Sequence, residues 1–369
     1  MSGVRACPPH LKDRVAALRK RIAGWDTDAL LVTNPRDVRY LTDFIGDDSW
    51  ALVRRYSNRV VVVTDFRFQE QVEREAPHVS VVIRKGPFAD VLAKRAPKWG
   101  LDGIALQAAY MTLATRKTLG KKLRGLKLVP VDDGLLEQRA VKDEQEIKRI
   151  RRAARCQQEA FSVVLKQLKP GQTEQQVAAR LEMHMRDLGA DGASFDSIVA
   201  VGANASLPHA VPGRARVRQG QIVLFDWGAR WEGYCSDLTR VVAIGRMPTR
   251  IRDIYRIVLE AQLAAIDAIA PGKSVKDVDA VARDIIKKAG HGRRFGHGLG
   301  HGIGLDIHEA PTLSYRSEGE LRPGHVVTVE PGIYLPGAGG VRIEDDVLVT
   351  QRGHRVLSDL PKDLDSAII

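Results

Sequence analysis

FGHGLGHGIGLDIHEAP, residues 295–311, holds three histidines, His297, His301 and His308, within twelve residues. His297 and His301 are four residues apart, which is the spacing of zinc-binding histidines on a helix. Every second residue from 296 to 304 is glycine, however, and a helix interior does not tolerate that many glycines. The stretch is therefore predicted to form a loop or an irregular strand that presses backbone and imidazole groups against something small.

Four carboxylates elsewhere in the chain lie in two matched segments. FDWGARWEGYCSDLTR carries Asp226 at the end of an apolar strand and Asp237 eleven residues later, and VEPGIYLPGAGGVRIEDD repeats this arrangement with Glu330 and Glu344. The glycines between the members of each pair indicate a hairpin that returns the second carboxylate beside the first. An unpaired carboxylate in an apolar strand is costly, and carboxylates packed together raise each other's pKa. A bound cation removes both problems.

These residue types predict a site for two divalent cations. Four carboxylates balance the charge of two such ions, and oxygen ligands with one or two imidazoles suit Mn²⁺, Co²⁺, Fe²⁺ or Zn²⁺. A pair of these ions generates hydroxide near neutral pH and stabilises a tetrahedral intermediate. A single strand aspartate or loop histidine is usually a hydrogen-bonded structural group, so the prediction depends on the whole set. The residues alone leave open which of the three histidines binds metal.

An internal repeat organises the second part of the chain. The segment 168–190 matches 269–290 at an offset of 101 residues, and 220–228 matches 324–332 at an offset of 104 residues. Each half contains a Pro-Gly turn, a helix and an apolar strand that ends in a carboxylate. Thr173 and Ser274 are the predicted N-caps of the two helices. Two related halves that face each other across a pseudo-two-fold axis are therefore expected.

Residues 1–140 are predicted to form a separate α/β domain ahead of residues 141–369. Short β-branched runs alternate there with helical patterns, and no catalytic constellation is found. A charged helix is expected from about Asp143 to Gln167. The predicted strands are DALLVT, RVVVVTD, VSVVIRK, GIALQ and LKLVPV, and the predicted helices are HLKDRVAALRKRIAG, RFQEQVEREA and FADVLAKRAP.

Composition narrows the class of protein. The 369 residues include three cysteines with no CxxC pair, no apolar run long enough for a membrane span, and no signal-peptide pattern in MSGVRACPPHLKDR. We therefore expect a cytoplasmic protein without a membrane segment. The net charge of +12 is not accompanied by an RNA- or DNA-binding motif, so no nucleic-acid partner is expected.

From about residue 143 onward the chain resembles the creatinase/methionine aminopeptidase (pita-bread, M24) metallopeptidases, and within them the proline-specific Xaa-Pro aminopeptidases and Xaa-Pro dipeptidases. SFDSIVAVGANASLPHA, IVLFDWGARWEGYCSDLTR, HGLGHGIGLDIHEAP, VVTVEPGIY and GVRIEDD stand in that family's order. The N-terminal part, with NPRDVRYLTDF, is similar to the domain that precedes the catalytic one in creatinases. The resemblance implies an α+β fold: a pita-bread catalytic domain with a pseudo-two-fold repeat, preceded by a smaller creatinase-type α/β domain.

The resemblance also implies a role for each matching residue. His209 and His308 would hydrogen-bond the substrate carbonyl or the tetrahedral intermediate, and Glu330 would also shuttle a proton. His297 matches an additional histidine of the proline-specific members, and Arg342 and Tyr334 match positions that hold the geometry of the site. Asp237 and Glu344 would bridge two ions, for which Mn²⁺ is the first expectation and Co²⁺, Zn²⁺ and Fe²⁺ are alternatives. The implied metal ligands are Asp226, Asp237, His301, Glu330 and Glu344.

The activity implied by the resemblance is hydrolysis of Xaa-Pro bonds at the N-terminus of proline-containing peptides. The expected enzyme is a dinuclear metal-dependent exopeptidase of the Xaa-Pro aminopeptidase type, with metal-bound hydroxide as the nucleophile. The alternatives are an Xaa-Pro dipeptidase (prolidase), a creatinase-like hydrolase and a non-catalytic binding protein built on a peptidase fold. The complete set of ligands counts against the last two. A homodimer is expected from the resemblance alone.

Overall fold

The computed structural model describes residues 6–132 and 134–369, so the first five residues of the stretch inspected for a signal peptide lie outside the description. The chain divides into two compact units, Met1–Gln138 and Arg139–Ile369. Among the described residues, no helix is both long and apolar enough to cross a lipid bilayer. The three cysteines are free thiols.

The first unit is built on a six-stranded mixed sheet. β2 is antiparallel to both of its neighbours, β1 and β3, and the other pairs are parallel. In space the strands follow the order β4-β3-β2-β1-β5-β6. The strands are β1 (Ala29–Val32), β2 (Trp50–Arg54), β3 (Val61–Thr64), β4 (Ser80–Ile83), β5 (Gly103–Gln107) and β6 (Lys127–Val131). The helices are α1 (Pro9–Gly24), α2 (Pro35–Thr42), α3 (Gln69–Glu75), α4 (Phe88–Arg95) and α5 (Leu113–Lys122), and α6 (Leu136–Ala140) spans the boundary between the units.

The five strands predicted for this unit are confirmed, but the sequence did not reveal β2. Its apolar run, Trp50–Val53, is only four residues long and is followed by two arginines. Four consecutive apolar residues show no strand period. Ala51–Val53 are nevertheless buried, because β2 lies between β1 and β3 in the middle of the sheet.

The second unit contains four long helices and several short antiparallel sheets. The helices are α7 (Glu144–Gln167), α8 (Glu174–Asp187), α9 (Thr249–Asp267) and α10 (Val275–Lys288). The strands of its first half are β7 (Gly192–Ala193), β8 (Ile198–Val201), β9 (Ile222–Trp227), β10 (Ala229–Trp231), β11 (Tyr234–Cys235) and β12 (Leu238–Ala243). Those of its second half are β13 (Gly300–Gly302), β14 (Glu309–Leu313), β15 (Val326–Val329), β16 (Gly332–Leu335), β17 (Gly339–Arg342), β18 (Asp345–Val349) and β19 (His354–Val356). The strand orders are β12-β9-β8, β11-β10-β7, β14-β13-β15-β18-β19 and β16-β17.

The predicted repeat is confirmed by matching local contacts in the two halves. The side chain of Thr173 accepts a hydrogen bond at the start of α8, and that of Ser274 does the same at the start of α10. Each cap residue also forms an isolated β-bridge, Thr173 with Arg216 and Ser274 with Glu320. The helix expected from Asp143 begins at Glu144, with Asp143 as its N-cap.

Alternation along β9 determines which way its carboxylate points. Trp227 stacks on Phe161 of α7 at 4.3 Å between ring centroids, and Phe225 packs into the same apolar cluster. Leu224 belongs instead to the cluster formed with α9 and α10. Because successive side chains of a strand point to opposite faces, Asp226 shares the face of Leu224. The carboxylate therefore faces the second half of the repeat.

Candidate metal centre

A cavity of about 1020 Å³ lies in the second unit. All the side chains that the sequence singled out as candidate site residues line it. They are Asp226, Asp237, His301, Glu330 and Glu344, together with His209, His297, His308, Tyr334 and Arg342.

The first hairpin carries Asp226 and Asp237. Asp226 is the fifth residue of β9 and pairs with Thr239 of the antiparallel strand β12, while Asp237 directly precedes β12. The backbone N–H of Asp237 donates to Oδ2 of Asp346 at 3.0 Å. Oδ1 of Asp237 is buried and has no hydrogen-bond partner among the described residues. A buried carboxylate oxygen without a donor points to a missing cation or proton.

The second hairpin carries Glu330 and Glu344 and is joined to the first. The pairs β15–β18 and β16–β17 share one register, and the two glutamates occupy the junction between them. The N–H of Glu330 donates to the carbonyl of Leu299 at 2.8 Å, and that of Glu344 donates to the carbonyl of Thr239 at 3.2 Å. The hydroxyl of Thr239 donates to Oε2 of Glu344 at 2.6 Å. One threonine of the first hairpin thus fixes both the backbone and the side chain of Glu344.

His301 turns one ring nitrogen toward these carboxylates. Nδ1 lies 3.1 Å from the carbonyl of Gly302 and must carry the proton to donate to it. Nε2 then carries a lone pair and no proton. It lies 3.4 Å from Oε1 of Glu330 and 3.7 Å from Oδ2 of Asp237. A lone pair facing carboxylate oxygens is repulsive unless a cation or a proton lies between them. Ligand atoms of Asp237, His301 and Glu344 are all within 4.8 Å of one another, which is a suitable separation for a shared metal ion.

Two glycines explain how the strands around this centre come so close together. A Cβ on Gly300 would lie 2.0 Å from the carbonyl oxygen of Thr328, and one on Gly228 would lie 1.8 Å from that of Ser236. No other residue type fits at either position without moving a strand. The glycine-rich stretch is therefore a short irregular strand beside β15, as the sequence predicted.

The electrostatics of the centre also fit a bound cation. Burial, followed by Glu344 and Asp226, raises the pKa of Asp237 well above its usual range. Burial raises the pKa of Glu344 in the same way, with Glu330 as the next cause, and raises that of Glu330 to about 8. Burial lowers the pKa of His301 to about 3, so the imidazole stays neutral and able to bind metal. The donor set of carboxylates and one neutral imidazole fits hard or borderline divalent ions.

Arg342 anchors a directional hydrogen-bond chain next to the carboxylates. Its guanidinium pairs with Asp226 and donates to the hydroxyl of Tyr334 at 2.8 Å. Nδ1 of His297 donates to the carbonyl of Gly298 at 2.8 Å, so its Nε2 accepts from the hydroxyl of Tyr334 at 2.9 Å. Burial lowers the pKa of His297 to about 4 and raises that of Tyr334 to about 12. Both side chains are therefore neutral near pH 7.

His308 and His209 lie further toward the solvent. The ring of His308 meets that of His301 edge-on, with 4.2 Å between centroids and 83° between planes. His308 is exposed overall, and the desolvation that remains lowers its pKa. His209 is exposed and lines the cavity near Pro208 and Val211. Both imidazoles can donate into the cavity.

Few features of the sequence indicated the side chains that support the centre. Glu309, next to His308, forms ion pairs with Arg139 and Lys142, and Arg139 also pairs with Asp306. Burial alone raises the pKa of Glu309, but the two cations outweigh it and the pKa is lowered. The only sequence signal was that Glu309 adjoins a candidate histidine. Its cationic partners lie about 170 residues earlier in the chain, where no motif marks them.

Each of the two units matches the model of a known protein family. The family model described as Metallopeptidase family M24 matches residues 148–351, and that of the Creatinase/Prolidase N-terminal domain matches residues 14–141. An uncharacterized peptidase of Bacillus subtilis, YqhT, is 38% identical over 351 residues, which are 95% of this chain and 99% of that protein.

Two solved structures are similar over nearly the whole chain. The Xaa-Pro dipeptidase from Bacillus anthracis is 38% identical, with a TM-score of 0.93 over 97% of this chain and 100% of that one. The X-Pro aminopeptidase from Thermotoga maritima is 37% identical, with a TM-score of 0.89 over 95% of this chain and 99% of that one. These matches confirm the resemblance and the fold inferred from the sequence. The chain belongs to metallopeptidase family M24, and in this chain a creatinase-type N-terminal domain precedes the pita-bread catalytic domain.

Proposed function

We propose that this metallopeptidase is an Xaa-Pro aminopeptidase, which removes the first residue from peptides whose second residue is proline. The observation that carries the proposal is the convergence of Asp226, Asp237, His301, Glu330 and Glu344 on one cavity. Within it, the lone pair of His301 and an unpartnered oxygen of Asp237 call for a cation. Similarity to an Xaa-Pro dipeptidase and an X-Pro aminopeptidase supports the choice of proline.

These five residues would hold two divalent ions. When bound, the ions supply a nucleophile near neutral pH and stabilise negative charge on the substrate carbonyl oxygen. Mn²⁺ is our first choice, and Co²⁺, Zn²⁺ and Fe²⁺ are the alternatives that suit the same donors. The raised pKa values of the carboxylates imply that the ions displace protons when they bind.

Glu330 is the proposed proton carrier. Its Oε1 lies 3.3 Å from the hydroxyl of Thr328 and 3.4 Å from Nε2 of His301, at the floor of the cavity. A carboxylate in this position can take the proton of the attacking water and pass it to the leaving nitrogen. The leaving group is the secondary amine of proline, which must be protonated to depart.

The histidines that do not bind metal are proposed to bind the substrate carbonyl or to orient a neighbouring side chain. His308 and His209 would donate hydrogen bonds to the carbonyl oxygen of the bond that is cleaved, where negative charge develops. His297 has both nitrogens engaged, with Gly298 and Tyr334, so it would orient the tyrosine rather than exchange protons. Arg342 would fix the positions of the Asp226 carboxylate and the Tyr334 hydroxyl relative to each other.

Proline requires a dedicated site because its nitrogen is part of a ring. An Xaa-Pro bond is a tertiary amide with no N–H to donate, so an enzyme that grips that amide cannot recognise it. The cavity offers apolar surface for a pyrrolidine ring in Phe195, Ile198, Val211 and Pro212.

An Xaa-Pro dipeptidase is the second candidate, favoured by the similarity to the enzyme from Bacillus anthracis. The test compares hydrolysis of the dipeptide Ala-Pro and the tripeptide Ala-Pro-Ala by chelator-stripped protein, with and without Mn²⁺ or Co²⁺. Metal-restored cleavage with preference for the tripeptide supports the aminopeptidase, and preference for the dipeptide supports the prolidase. No cleavage of either peptide by folded protein would favour a creatinase-like hydrolase or a binding role.

The assignment of the site has its own test. Asp237→Asn should abolish the metal-dependent cleavage while circular dichroism stays that of the wild type. Asp253→Asn, which alters an exposed aspartate on α9, is the matched control and should retain full activity. Wild-type rates in Asp237→Asn would refute the ligand assignment.

We further propose that the protein is a cytoplasmic homodimer with a catalytic domain at 141–369 and an N-terminal domain at 1–140. The paucity of cysteine suits a reducing compartment. The dimer rests on family resemblance. A light-scattering mass near the 40.7 kDa of one chain, at micromolar concentration, would contradict it.

A further inference from the structure

A second cavity, of about 550 Å³, lies in the catalytic unit between the C-terminal end of α7 and the middle of α8. It shares no lining residue with the cavity of the candidate metal centre. Its volume is within the range of about 300–1,000 Å³ that small-molecule sites have. None of the described residues that line it is a carboxylate, and four are basic, namely Lys166, Lys169, Arg180 and His184. This lining favours an anionic ligand.

Three of the four basic groups have no charged partner in the described part of the chain. The side chains of Lys166, Lys169 and Arg180 are exposed, and none of them forms an ion pair or a side-chain hydrogen bond there. His184 has a weak partner in Asp187, whose exposed Oδ2 lies 3.8 Å from Nδ1 of the imidazole. Like charges around one cavity repel one another, so a bound anion would relieve their repulsion.

The backbone on both sides of the cavity is held in place. Gln172 is buried, and its Oε1 accepts from the N–H of Lys169 at 2.9 Å while its Nε2 donates to the carbonyl of the last residue of α7 at 3.2 Å. Arg180 and His184 are four residues apart on α8 and therefore lie on one face of that helix. Both helices contribute to one apolar cluster. Such fixed bases lower the entropy lost when a ligand binds.

The internal repeat indicates that this arrangement folds without the four basic groups. At the offset of 101 residues, positions 166, 169, 180 and 184 correspond to Asp267, Ala270, Val281 and Ile285 in the other half. Ile285 packs against the apolar core of that half. A helix, a Pro-Gly turn and a second helix thus form there with no basic residue at any of these positions. The bases of the first half are therefore available for a role other than folding.

From these observations we propose that the cavity between α7 and α8 binds a phosphate group, either free or as part of a small organic phosphate. A phosphate monoester has a charge of about −1.5 to −2 at pH 7 and three terminal acceptor oxygens, so it can contact several cations at once. Leu168 and Met183 also line the cavity and offer apolar surface to the organic part of such a ligand. The inference does not depend on the proposed peptidase activity.

Binding to chelator-treated full-length protein tests the proposal, because metal ions in the other cavity would also bind phosphate. Isothermal titration calorimetry at low salt would compare inorganic phosphate, phenyl phosphate, phenylacetate and benzyl alcohol. We expect both phosphates to bind, phenylacetate to bind more weakly and benzyl alcohol not to bind. Tighter binding of phenyl phosphate than of inorganic phosphate would identify an organic phosphate as the ligand, and equal or weaker binding would identify free phosphate. Both affinities should fall as the salt concentration rises.

Two double variants locate the binding. Lys169→Ala/Arg180→Val introduces the residue types that the other half has at the matching positions, and its affinity for phenyl phosphate should fall about tenfold, as expected for two exposed charge contacts. Lys148→Ala/Arg151→Ala removes two exposed bases of α7 that do not line the cavity. Its affinity should stay within about twofold of the wild type, because salt screens distant charges. Circular dichroism should be the same for all three proteins.

Each contrary result has a definite meaning. Equal affinity of the wild type and Lys169→Ala/Arg180→Val for phenyl phosphate would overturn the proposal. Equal losses in the two double variants would also overturn it, because they would indicate a response to net charge. Absence of phosphate binding, with a lower Tm for the cavity variant, would assign the bases to the stabilisation of the C-terminal end of α7 instead. Tighter binding of phenylacetate than of phenyl phosphate would refute the choice of phosphate.

Discussion

In chelator-treated protein, replacing Glu330 with glutamine is expected to stabilise the fold. Burial raises the pKa of Glu330 from 4.5 to about 8, and Asp226 adds to the effect against the opposing charge of Arg342. The folded state therefore holds this proton more tightly than the unfolded chain does. The contribution of Glu330 to stability is full below about pH 4.5 and is lost as the pH rises toward 8.

The size of the effect follows from the two pKa values. One pKa unit corresponds to about 1.4 kcal/mol, so the ionisation that Glu330 undergoes in the unfolded chain lowers the stability of the metal-free fold by about 3 kcal/mol at pH 6.5 and by about 4 kcal/mol at pH 8, relative to a residue that does not ionise. Glutamine has nearly the same shape, does not ionise and can still accept from Thr328. The stability advantage of Glu330→Gln should thus grow by about 1 to 2 kcal/mol between pH 6.5 and pH 8.

Metal should reverse the order of stability. Ligand binding to the folded state adds about 2.7 kcal/mol when the free metal concentration is one hundred times Kd. The wild type has all five proposed ligands, whereas glutamine in place of Glu330 offers a weaker donor. The wild type should therefore gain more from Mn²⁺ than Glu330→Gln does.

Differential scanning calorimetry between pH 6.5 and pH 8 can follow both effects. The transition of the catalytic unit is the one that Mn²⁺ moves to higher temperature. Glu318→Gln, at an exposed position outside the cavity, is the matched control and should follow the wild type at every pH. If chelated Glu330→Gln and the wild type showed the same dependence on pH, the buried-carboxylate argument would be refuted.

Three other substitutions test the geometry of the site by the same calorimetry. Gly300→Ala puts a Cβ 2.0 Å from a backbone oxygen of the adjacent strand and should cost about 3 kcal/mol, whereas Gly296→Ala has open space and should cost under about 1 kcal/mol. Equal losses would contradict the close approach of the strands. Tyr334→Phe leaves Nε2 of His297 without its donor and should cost about 1–3 kcal/mol and lower kcat, so wild-type values for both would argue against the hydrogen-bond chain. Glu309→Gln leaves the buried Lys142 without its carboxylate and leaves Arg139 with Asp306 alone, and it should cost about 3–5 kcal/mol; a loss below about 1 kcal/mol would argue against a structural role of these ion pairs.

Local rules explain why much of the fold was visible in the sequence. Capping chemistry located the starts of α8 and α10, because the side-chain oxygens of Thr173 and Ser274 satisfy nearby backbone N–H groups, and the charged helical pattern located the start of α7. Glycines between paired carboxylates located both hairpins. These signals involve residues close in sequence, so they do not depend on the rest of the fold. β2 was missed because its apolar run, Trp50–Val53, is only four residues long and shows no alternation.

The supporting contacts of the site were invisible for the opposite reason. Arg342 and Asp226 are 116 residues apart, and Lys142 and Glu309 are 167 residues apart. In the sequence alone, each of these side chains is a charged group with no indication of its partner. Their pairing depends on how sheets and helices pack, which no local pattern encodes.

The sequence by itself determined the family, the two-part architecture, the repeat and the set of carboxylates and histidines around one centre. Only the tertiary structure decided what each histidine can do. His297 and His301 sit in the same glycine-rich stretch, and each donates from Nδ1 to a neighbouring carbonyl. Nε2 of His297 is occupied by the hydroxyl of Tyr334, whereas Nε2 of His301 faces Glu330 and Asp237. The chemistry of an imidazole depends on the partners of its two nitrogens, and packing brings those partners from distant parts of the chain.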